Sequence, residues 1–268
     1  MEMVSALELL GDYTAGQWGM VTTRQAQSLG VDDVTLHRLK TAGLLETVRH
    51  GVHAATSSPA SGARPEQAVW LSLRPGTPGW ERPSLDPDGG VLSHRSAARL
   101  HGLGDLPDTA IELTVPRRRT MRDQNVLLHQ GKLAASDVAL LDGLPVTTAL
   151  RTVRDLLDRR TDASHVATII RQAVDAGLVT TEELPDAIAP FARRYGARPG
   201  DGAGLLADLL AQIGLTPAEL VPSGVTWGEL DKLRWGELAD KNITWGELAN
   251  PSPELAKLLR RATRDVGR

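Results

Sequence analysis

Cysteine is absent from this chain of 268 residues. Disulfide bonds, thiolate zinc sites and cysteine nucleophiles are therefore excluded, and such a composition is typical of a reducing compartment. Aromatic residues are also scarce, with one Phe and two Tyr, so the core must be built from Leu, Val, Ile and Ala. The sequence contains neither a long apolar run nor a signal-peptide pattern. We therefore expect a cytoplasmic protein without a membrane partner.

Positive charge is not in excess either, because the formal net charge is −3. A chain that is 41% hydrophobic and 24% charged is an ordinary globular protein, and its length predicts two or more units. Since the chain as a whole does not attract polyanions, any contact with nucleic acid must be local.

The first 55 residues show the most informative pattern. Residues 20–26 read as a short apolar strand, a Thr N-cap and a helix start, and residues 30–32 form a sharp break before a second helix. Residues 44–48 and 52–54 are expected to be strands, joined by a tight turn at residues 49–51. Helix, turn, helix and strand pair is the order of a winged helix-turn-helix, which is typical of proteins that read the major groove of DNA.

The second helix, from about residue 33 to residue 42, separates into two faces. Leu36 and Leu39 have the spacing of core residues, with Thr35 beside them and Ala42 closing the stripe, while Asp33 lies on the opposite face. The polar face and the strand turn offer side chains suited to base edges and phosphates. The predicted DNA contacts are Arg24, Val34, His37, Arg38, Thr41, Arg49 and His50.

A second interpretation of this unit stays open. Small helical units with a strand pair also serve as protein-docking modules. Residues 16–55 contain only Arg24, Arg38, Lys40 and Arg49 against Asp32, Asp33 and Glu46, so the unit is barely positive. A strong DNA-binding protein normally presents a basic face. We therefore expect modest affinity from one copy and several copies on one site.

The rest of the chain predicts an α+β protein. The division is a winged helix at 1–55, a linker at 56–65, an α+β domain with a small antiparallel sheet at 66–160, a helical region at 161–222 and a tail at 223–268. The expected elements of the α+β domain are helices at 66–73, 94–100 (capped by Ser93) and from 147 or 148 to 159, strands at 110–115 and 126–129, and a hairpin around Asp142-Gly143. Further helices are expected at 164–176, from 180 and at 204–213.

A cluster of arginines and a repeated motif in the tail each have two interpretations. Arg117, Arg118, Arg119 and Arg122 form the densest positive cluster, which either holds phosphates or an acidic protein surface, or is simply a solvated loop.

Trp-Gly-Glu-Leu occurs three times between residues 227 and 248, and a last helix is expected at 254–266. The repeats either offer Trp anchors to a partner or are a local duplication whose Trp side chains pack against the helical region, and we favour the second.

Catalytic patterns are incomplete. Ser93, His94, His101 and Asp105 could suggest a hydrolase, but adjacent Ser and His side chains diverge on a helix. Pro107-Asp108 followed by Glu112 is similar to a nuclease carboxylate pair, yet Thr114 stands where a lysine is expected. The seven histidines have no metal-ligand spacing along the chain. We therefore expect no enzyme, no metal, no cofactor and no small-molecule substrate.

Taken together, four segments of the chain resemble the AbiEi family, the antitoxins of type IV abortive-infection toxin–antitoxin systems. The segments are residues 21–52, residues 93–103 (Ser-His-Arg-Ser-Ala-Ala-Arg-Leu-His-Gly-Leu), residues 111–116 and residues 143–156. The resemblance implies a transcriptional repressor, active in phage defence, that binds its own promoter, usually at inverted repeats. It also implies a nucleotidyltransferase-type toxin as partner. An orphan regulator or a protein-interaction adaptor without a toxin remains the alternative.

Overall fold

The computed structural model describes residues 2–107 and 109–220, and it confirms the predicted α+β class. The described chain divides into two compact units. The first contains the residues up to Gly102 together with Leu106–Thr152, and the second contains Leu103–Asp105 together with the described residues from Val153 onward. The Trp-Gly-Glu-Leu motifs, the helix expected at 254–266 and Asp108 lie outside the described residues.

The first unit begins with a helix that the sequence analysis did not predict, and the predicted order of helices and strands follows it. Its elements are α1 (Met3–Gly16), β1 (Met20–Thr22), α2 (Thr23–Ser28), α3 (Asp33–Thr41), β2 (Leu45–Arg49) and β3 (Val52–Ala55). The strands form an antiparallel sheet in the order β1-β3-β2. The predicted core residues Leu36 and Leu39 pack with Leu10, Val21 and Leu45 in one buried cluster. Ala42, which was expected to close the stripe, is exposed because the helix ends at Thr41.

Local hydrogen bonds explain where α2 and α3 begin. The Thr22 hydroxyl accepts from the Gln25 backbone N–H, and the Gln25 side chain accepts from the Thr22 N–H, which makes a capping box. The Asp32 carboxylate caps α3 by accepting from the Thr35 N–H at 2.7 Å, and its hydrogen bonds to Thr35 lower the Asp32 pKa. Gly30 between the helices has φ +83°, a conformation that favours glycine. These features were readable from the sequence.

A five-stranded sheet completes the first unit. Its elements are α4 (Arg64–Leu73), a 3-10 turn (Gly79–Glu81), β4 (Val91–Leu92), α5 (His94–Leu100), β5 (Ile111–Val115), β6 (Val126–Gln130), a 3-10 turn (Ala135–Asp137), β7 (Val138–Leu141), β8 (Leu144–Thr147) and the start of α6 (Ala149–Asp158). The strand order is β6-β5-β4-β8-β7. β4–β5 and β7–β8 pair antiparallel, whereas β5–β6 and β4–β8 pair parallel. The predicted hairpin at Asp142-Gly143 is confirmed.

The two sheets of the first unit share one core. Met20, Val52 and Ala54 of the small sheet belong to the same buried cluster as Trp70 of α4 and Leu113 of β5. Residues 56–65, where composition indicates a linker, therefore connect two parts of one compact unit. The physical reason is that α4 starts at Arg64 and buries apolar side chains against strands of both sheets.

Buried amides tie the start of α2 to the loop after α4. The side chains of Gln17 and Gln25 exchange two hydrogen bonds of 3.0 Å. The Gln17 oxygen also accepts from the Gly79 N–H at 2.7 Å, and the Gln25 amide donates to the Thr77 carbonyl at 3.2 Å. The Thr22 hydroxyl donates to the Pro75 carbonyl. Because buried polar groups are costly to leave unpaired, this network fixes α2 relative to α4.

One predicted helix cap is different in the structure. Ser93 occupies the N-cap position of α5, but its side chain makes no capping hydrogen bond. Instead its hydroxyl accepts from the Thr114 hydroxyl at 2.9 Å and lies 2.9 Å from Nδ1 of His94. The Ser93 hydroxyl therefore interacts with Thr114 of β5 and with the His94 imidazole, and not with a backbone N–H of α5 as the sequence pattern predicted.

The second unit is helical, as predicted. It contains α7 (Ala163–Asp175), α8 (Leu184–Ile188), a 3-10 helix (Ala189–Tyr195), α9 (Gly202–Ala211) and a 3-10 turn (Pro217–Glu219). Its core includes Ile169, Ile170, Leu184 and Leu205, all fully buried. Pro185 and Pro190 stand in the first turns of α8 and of the 3-10 helix, which accords with their expected breaking effect. Among the described residues, every helix is too short or too polar to traverse a lipid bilayer.

Candidate nucleic-acid interface

Helix α3 presents the predicted polar face to solvent. Val34, His37, Arg38 and Thr41 are exposed, and the Val34 side chain is 59% exposed. The sequence-based interpretation required His37 and Arg38 to be accessible, and both are. A capped helix with an exposed apolar residue, an imidazole and a guanidinium has side chains suited to base edges.

A groove of about 640 Å³ lies between α2, α3 and the strand pair β2–β3. Thr23, Arg24 and Gln27 line it from α2, Asp33, Leu36 and Lys40 from α3, and Thr47, His50, Gly51 and His53 from the strands. Lys40 was not among the predicted contact residues. It follows Asp33 by seven positions, so helical periodicity places the two on one face, and this spacing could have indicated Lys40.

The wing, which we define as β2, β3 and the turn at His50-Gly51, touches the start of α2. The Gly51 carbonyl accepts from the Thr23 N–H at 3.0 Å. Behind the turn, buried His53 lies 3.0 Å from the Thr23 hydroxyl and 3.3 Å from the Thr47 hydroxyl. Burial lowers the His53 pKa, and the nearby charges of Lys40 and His50 lower it further. A neutral His53 therefore joins α2 to the wing, while His50 remains exposed at the turn.

Arg49 is placed differently from the other predicted contacts. Its side chain is only 16% exposed, and its guanidinium lies 3.3 Å from the Asp123 carboxylate. Burial lowers the Arg49 pKa, and the Asp123 charge opposes that shift. Arg49 therefore joins the wing to the segment after β5, and its charge is partly neutralised there.

The same connection between β5 and β6 contains the basic loop, which we define as residues 117–122. Arg117, Arg118, Arg119 and Arg122 are all exposed. Arg119 is nevertheless anchored, since its guanidinium donates to the Asp88 carbonyl at 2.6 Å and to the Leu73 carbonyl. Arg117 lies 3.5 Å from the Asp88 carboxylate, with its own side chain 76% exposed. The basic loop thus has one fixed arginine and projects the others outward.

The fold brings the basic loop next to the winged helix. Arg24 of α2 lines one cavity of about 570 Å³ together with Arg74, Arg117, Arg118 and Arg119. A neighbouring cavity is lined by Arg49 and His50 of the wing together with Arg119 and Arg122. We call Arg24, His50, Arg74 and the four arginines of the basic loop the basic surface. Arg74 was missed because its sequence neighbourhood is uninformative, and it forms a bidentate pair with buried Asp86 at 2.9–3.0 Å.

Comparison with known proteins finds a match over one segment of the chain. No curated protein matches the chain. The family described as "Transcriptional regulator, AbiEi antitoxin" matches residues 12–55, the stretch from the end of α1 to the end of β3. Over these residues the chain is similar to that family, which confirms for this segment the resemblance drawn from the residues.

Proposed function

We propose that the chain is a DNA-binding transcriptional regulator that places α3 in the major groove and holds the adjacent phosphates with the basic surface. The observation that carries the proposal is the shared cavity of Arg24 with Arg117, Arg118 and Arg119. The winged helix by itself is poor in cations, whereas a duplex carries two phosphates per base pair. Arginines from the basic loop supply the missing positive charge beside the helix that approaches the bases.

The dimensions and side chains of α3 suit this role. Its nine residues extend over about 13 Å, and the major groove is about 12 Å wide. Arg38 has the fork geometry that pairs with guanine, and Val34 offers the apolar contact that a thymine methyl group prefers. His37 and Thr41 lie on the same face and can donate or accept hydrogen bonds.

The anchored wing supports the same conclusion. His53 with Thr23 joins the wing to α2, and Arg49 with Asp123 joins the wing to the residue that follows the basic loop. A surface that is ordered before binding loses less conformational entropy when DNA docks. We infer that Arg49 contributes to DNA binding by positioning the wing, and that His50 at its turn contacts the sugar-phosphate chain.

The target and the partner follow from the family rather than from geometry. We propose that the DNA is the promoter of the chain's own operon, bound by more than one copy at inverted repeats. We further propose that the chain counteracts a nucleotidyltransferase-type toxin. The support is the family description of residues 12–55 and the resemblance of the later segments. Repeated half-sites also suit a unit whose reading helix carries little charge.

Fluorescence anisotropy with the full chain tests the DNA-binding proposal. A labelled duplex from upstream of the coding sequence is titrated at several salt concentrations against an unrelated duplex of equal length. We expect tighter binding to the upstream duplex and an affinity that falls steeply with salt. Equal affinity for both duplexes would leave only non-specific binding, and no binding at low salt would favour the protein-interaction adaptor.

A growth assay tests the antitoxin proposal separately. The neighbouring open reading frame, if it carries a nucleotidyltransferase signature, is induced with and without this chain. We expect the chain to restore growth, and Arg38→Ala to retain that rescue while it weakens promoter binding. Failure to rescue, with promoter binding intact, would identify an orphan regulator.

A further inference from the structure

Three side chains that are far apart in sequence meet on the five-stranded sheet. His94 starts α5, Glu112 lies on β5 and His129 lies on β6. One ligand atom from each of them lies within 4.8 Å of the other two, and His94 and Glu112 are buried. Spacing along the chain predicted no metal site, because only the pairing of β5 with β6 brings Glu112 and His129 to one place.

The cluster is tight. Nε2 of His129 lies 2.6 Å from the Glu112 carboxylate, and the ring centroids of His94 and His129 are 3.9 Å apart with their planes tilted by 31°. In a tetrahedral zinc site with ligands at about 2.1 Å, neighbouring ligand atoms are separated by about 3.4 Å. The separations in the cluster, 2.6 Å between His129 and Glu112 and no more than 4.8 Å between any two ligand atoms, span this value.

Surrounding groups orient the ligands. Nδ1 of His94 lies 2.9 Å from the Ser93 hydroxyl, which accepts a hydrogen bond from Thr114. Metal-ligating histidines almost always use their second ring nitrogen for such a hydrogen bond, which selects the tautomer that leaves the first nitrogen free for the metal. The guanidinium of Arg95 lies 3.8 Å from the other carboxylate oxygen of Glu112. Ser93 thus has a role here that replaces the helix cap predicted from sequence.

The backbone at His94 is strained in a way that a helix start does not require. Its φ is +53°, in the left-handed region that costs a non-glycine residue free energy. In this conformation the centroid of the His94 ring lies 3.9 Å from that of the His129 ring. Strained residues that persist in a fold are concentrated at ligand-binding and active sites.

We propose that His94, Glu112 and His129 bind a divalent transition-metal ion, with Zn²⁺ as the preferred occupant. Two imidazoles and one carboxylate favour zinc over magnesium or calcium, which prefer oxygen ligands. Water occupies the fourth position, because His129 is not fully buried and gives solvent a route to the site. The ion joins the start of α5 to β5 and β6, and the site is independent of the basic surface.

Isothermal titration of ZnCl₂ into the chelator-stripped full chain is the direct test. We expect one Zn²⁺ per chain, a higher melting temperature with zinc, and no such binding with MgCl₂. Because the chain has no cysteine, tight binding must use its histidines and carboxylates. Absence of saturable one-to-one zinc binding by the unmodified chain overturns the proposal, whatever the variants do.

Three variants locate the ion. Glu112→Gln and His129→Gln preserve side-chain size and should each weaken zinc binding at least about tenfold, and Ser93→Ala should weaken it by about tenfold through loss of orientation. His165→Gln is the matched control, because His165 pairs with Asp105 at 3.1 Å in a cluster of two rather than three donors. Circular dichroism confirms folding, and Co²⁺ absorption of the unmodified chain reports ligation if a variant does not fold. Equal zinc affinity in the ligand variants, or loss only in His165→Gln, overturns the proposal.

Discussion

Helix α3 and the basic loop lie in the same compact unit and differ in almost every respect. Helix α3 is capped, regular and nearly balanced in charge, with Asp33 against Arg38 and Lys40. The basic loop is irregular and carries Arg117, Arg118, Arg119 and Arg122. Of these, Arg119 is anchored by hydrogen bonds to the backbone carbonyls of Asp88 and Leu73. In the DNA complex that we propose, this difference would separate two tasks, since base contacts set specificity and phosphate contacts set affinity. On this view the loop holds the duplex and the helix selects its sequence.

The largest expected effect comes from removing the charge of the basic loop. The triple variant Arg117→Gln, Arg118→Gln and Arg122→Gln should lower affinity for every duplex, because phosphates are common to all sequences. Three lost phosphate contacts reduce the slope of log affinity against log salt by about 2.7, which is roughly a 500-fold loss at about 0.1 M salt. Anisotropy titrations at several salt concentrations measure both quantities.

The corresponding triple lysine variant is the control for charge. Lysine keeps a point charge that phosphates accept, so it should retain most of the salt slope. If the glutamine variant binds DNA with the same affinity and salt slope as the unmodified chain, the basic loop is solvated and makes no phosphate contact. The proposed division of tasks between the basic loop and α3 is then wrong.

Arg38→Ala is expected to act on specificity. Loss of one bidentate base contact costs about 1–3 kcal/mol, or roughly 5- to 150-fold, on the matched duplex and far less on unrelated DNA. Arg38→Lys keeps the charge but not the fork, so it should leave binding to unrelated DNA unchanged while specificity falls. Competition against single-base-pair variants of the duplex measures the effect. A uniform loss across all of them would show that Arg38 binds phosphate.

A smaller effect is expected at the contact between the wing and the segment after the basic loop. Asp123→Asn leaves the guanidinium of Arg49 in a half-buried position without its carboxylate, and should lower the free energy of unfolding by about 1 kcal/mol. Asp88→Asn is the matched control, because the Arg117–Asp88 pair is 3.5 Å apart with side chains 76% and 59% exposed. Urea denaturation compares the two. Equal effects would mean that the wing is not held by Arg49.

The smallest expected effect is on the free energy of unfolding as the pH falls below neutral. Burial lowers the His53 pKa in the folded chain, so the unfolded chain binds a proton more readily. The contribution of neutral His53 to stability is therefore complete above about pH 6.5 and decreases as the pH falls below that value. His53→Gln should reduce this dependence in urea denaturation between about pH 7 and 5. An unchanged slope would contradict a neutral, buried role for His53.

Many patterns within one element were predictable from sequence, although α1, β4 and the role of Ser93 were not. Capping by Thr22 and Asp32, the exposed face of α3 and the hairpin at Asp142-Gly143 depend on residues a few positions apart. The surroundings of Arg49, in contrast, could not be predicted from residues a few positions apart. Its position in the wing suggested a DNA contact, but its surroundings depend on Asp123, which lies 74 positions later in the chain.

The sequence by itself therefore determined the order of helices and strands in residues 20–55, the α+β class and the polar face that carries Val34, His37, Arg38 and Thr41. Periodicity, caps and turn residues are local, and hydrophobic burial of one helix face leaves the other exposed. Only the tertiary structure decided that Arg24 shares a cavity with the basic loop, and that His94, Glu112 and His129 meet. Those juxtapositions arise because α4 buries its apolar side chains against both sheets and because β5 pairs with β6, and neither contact leaves a signature in the spacing of residues along the chain.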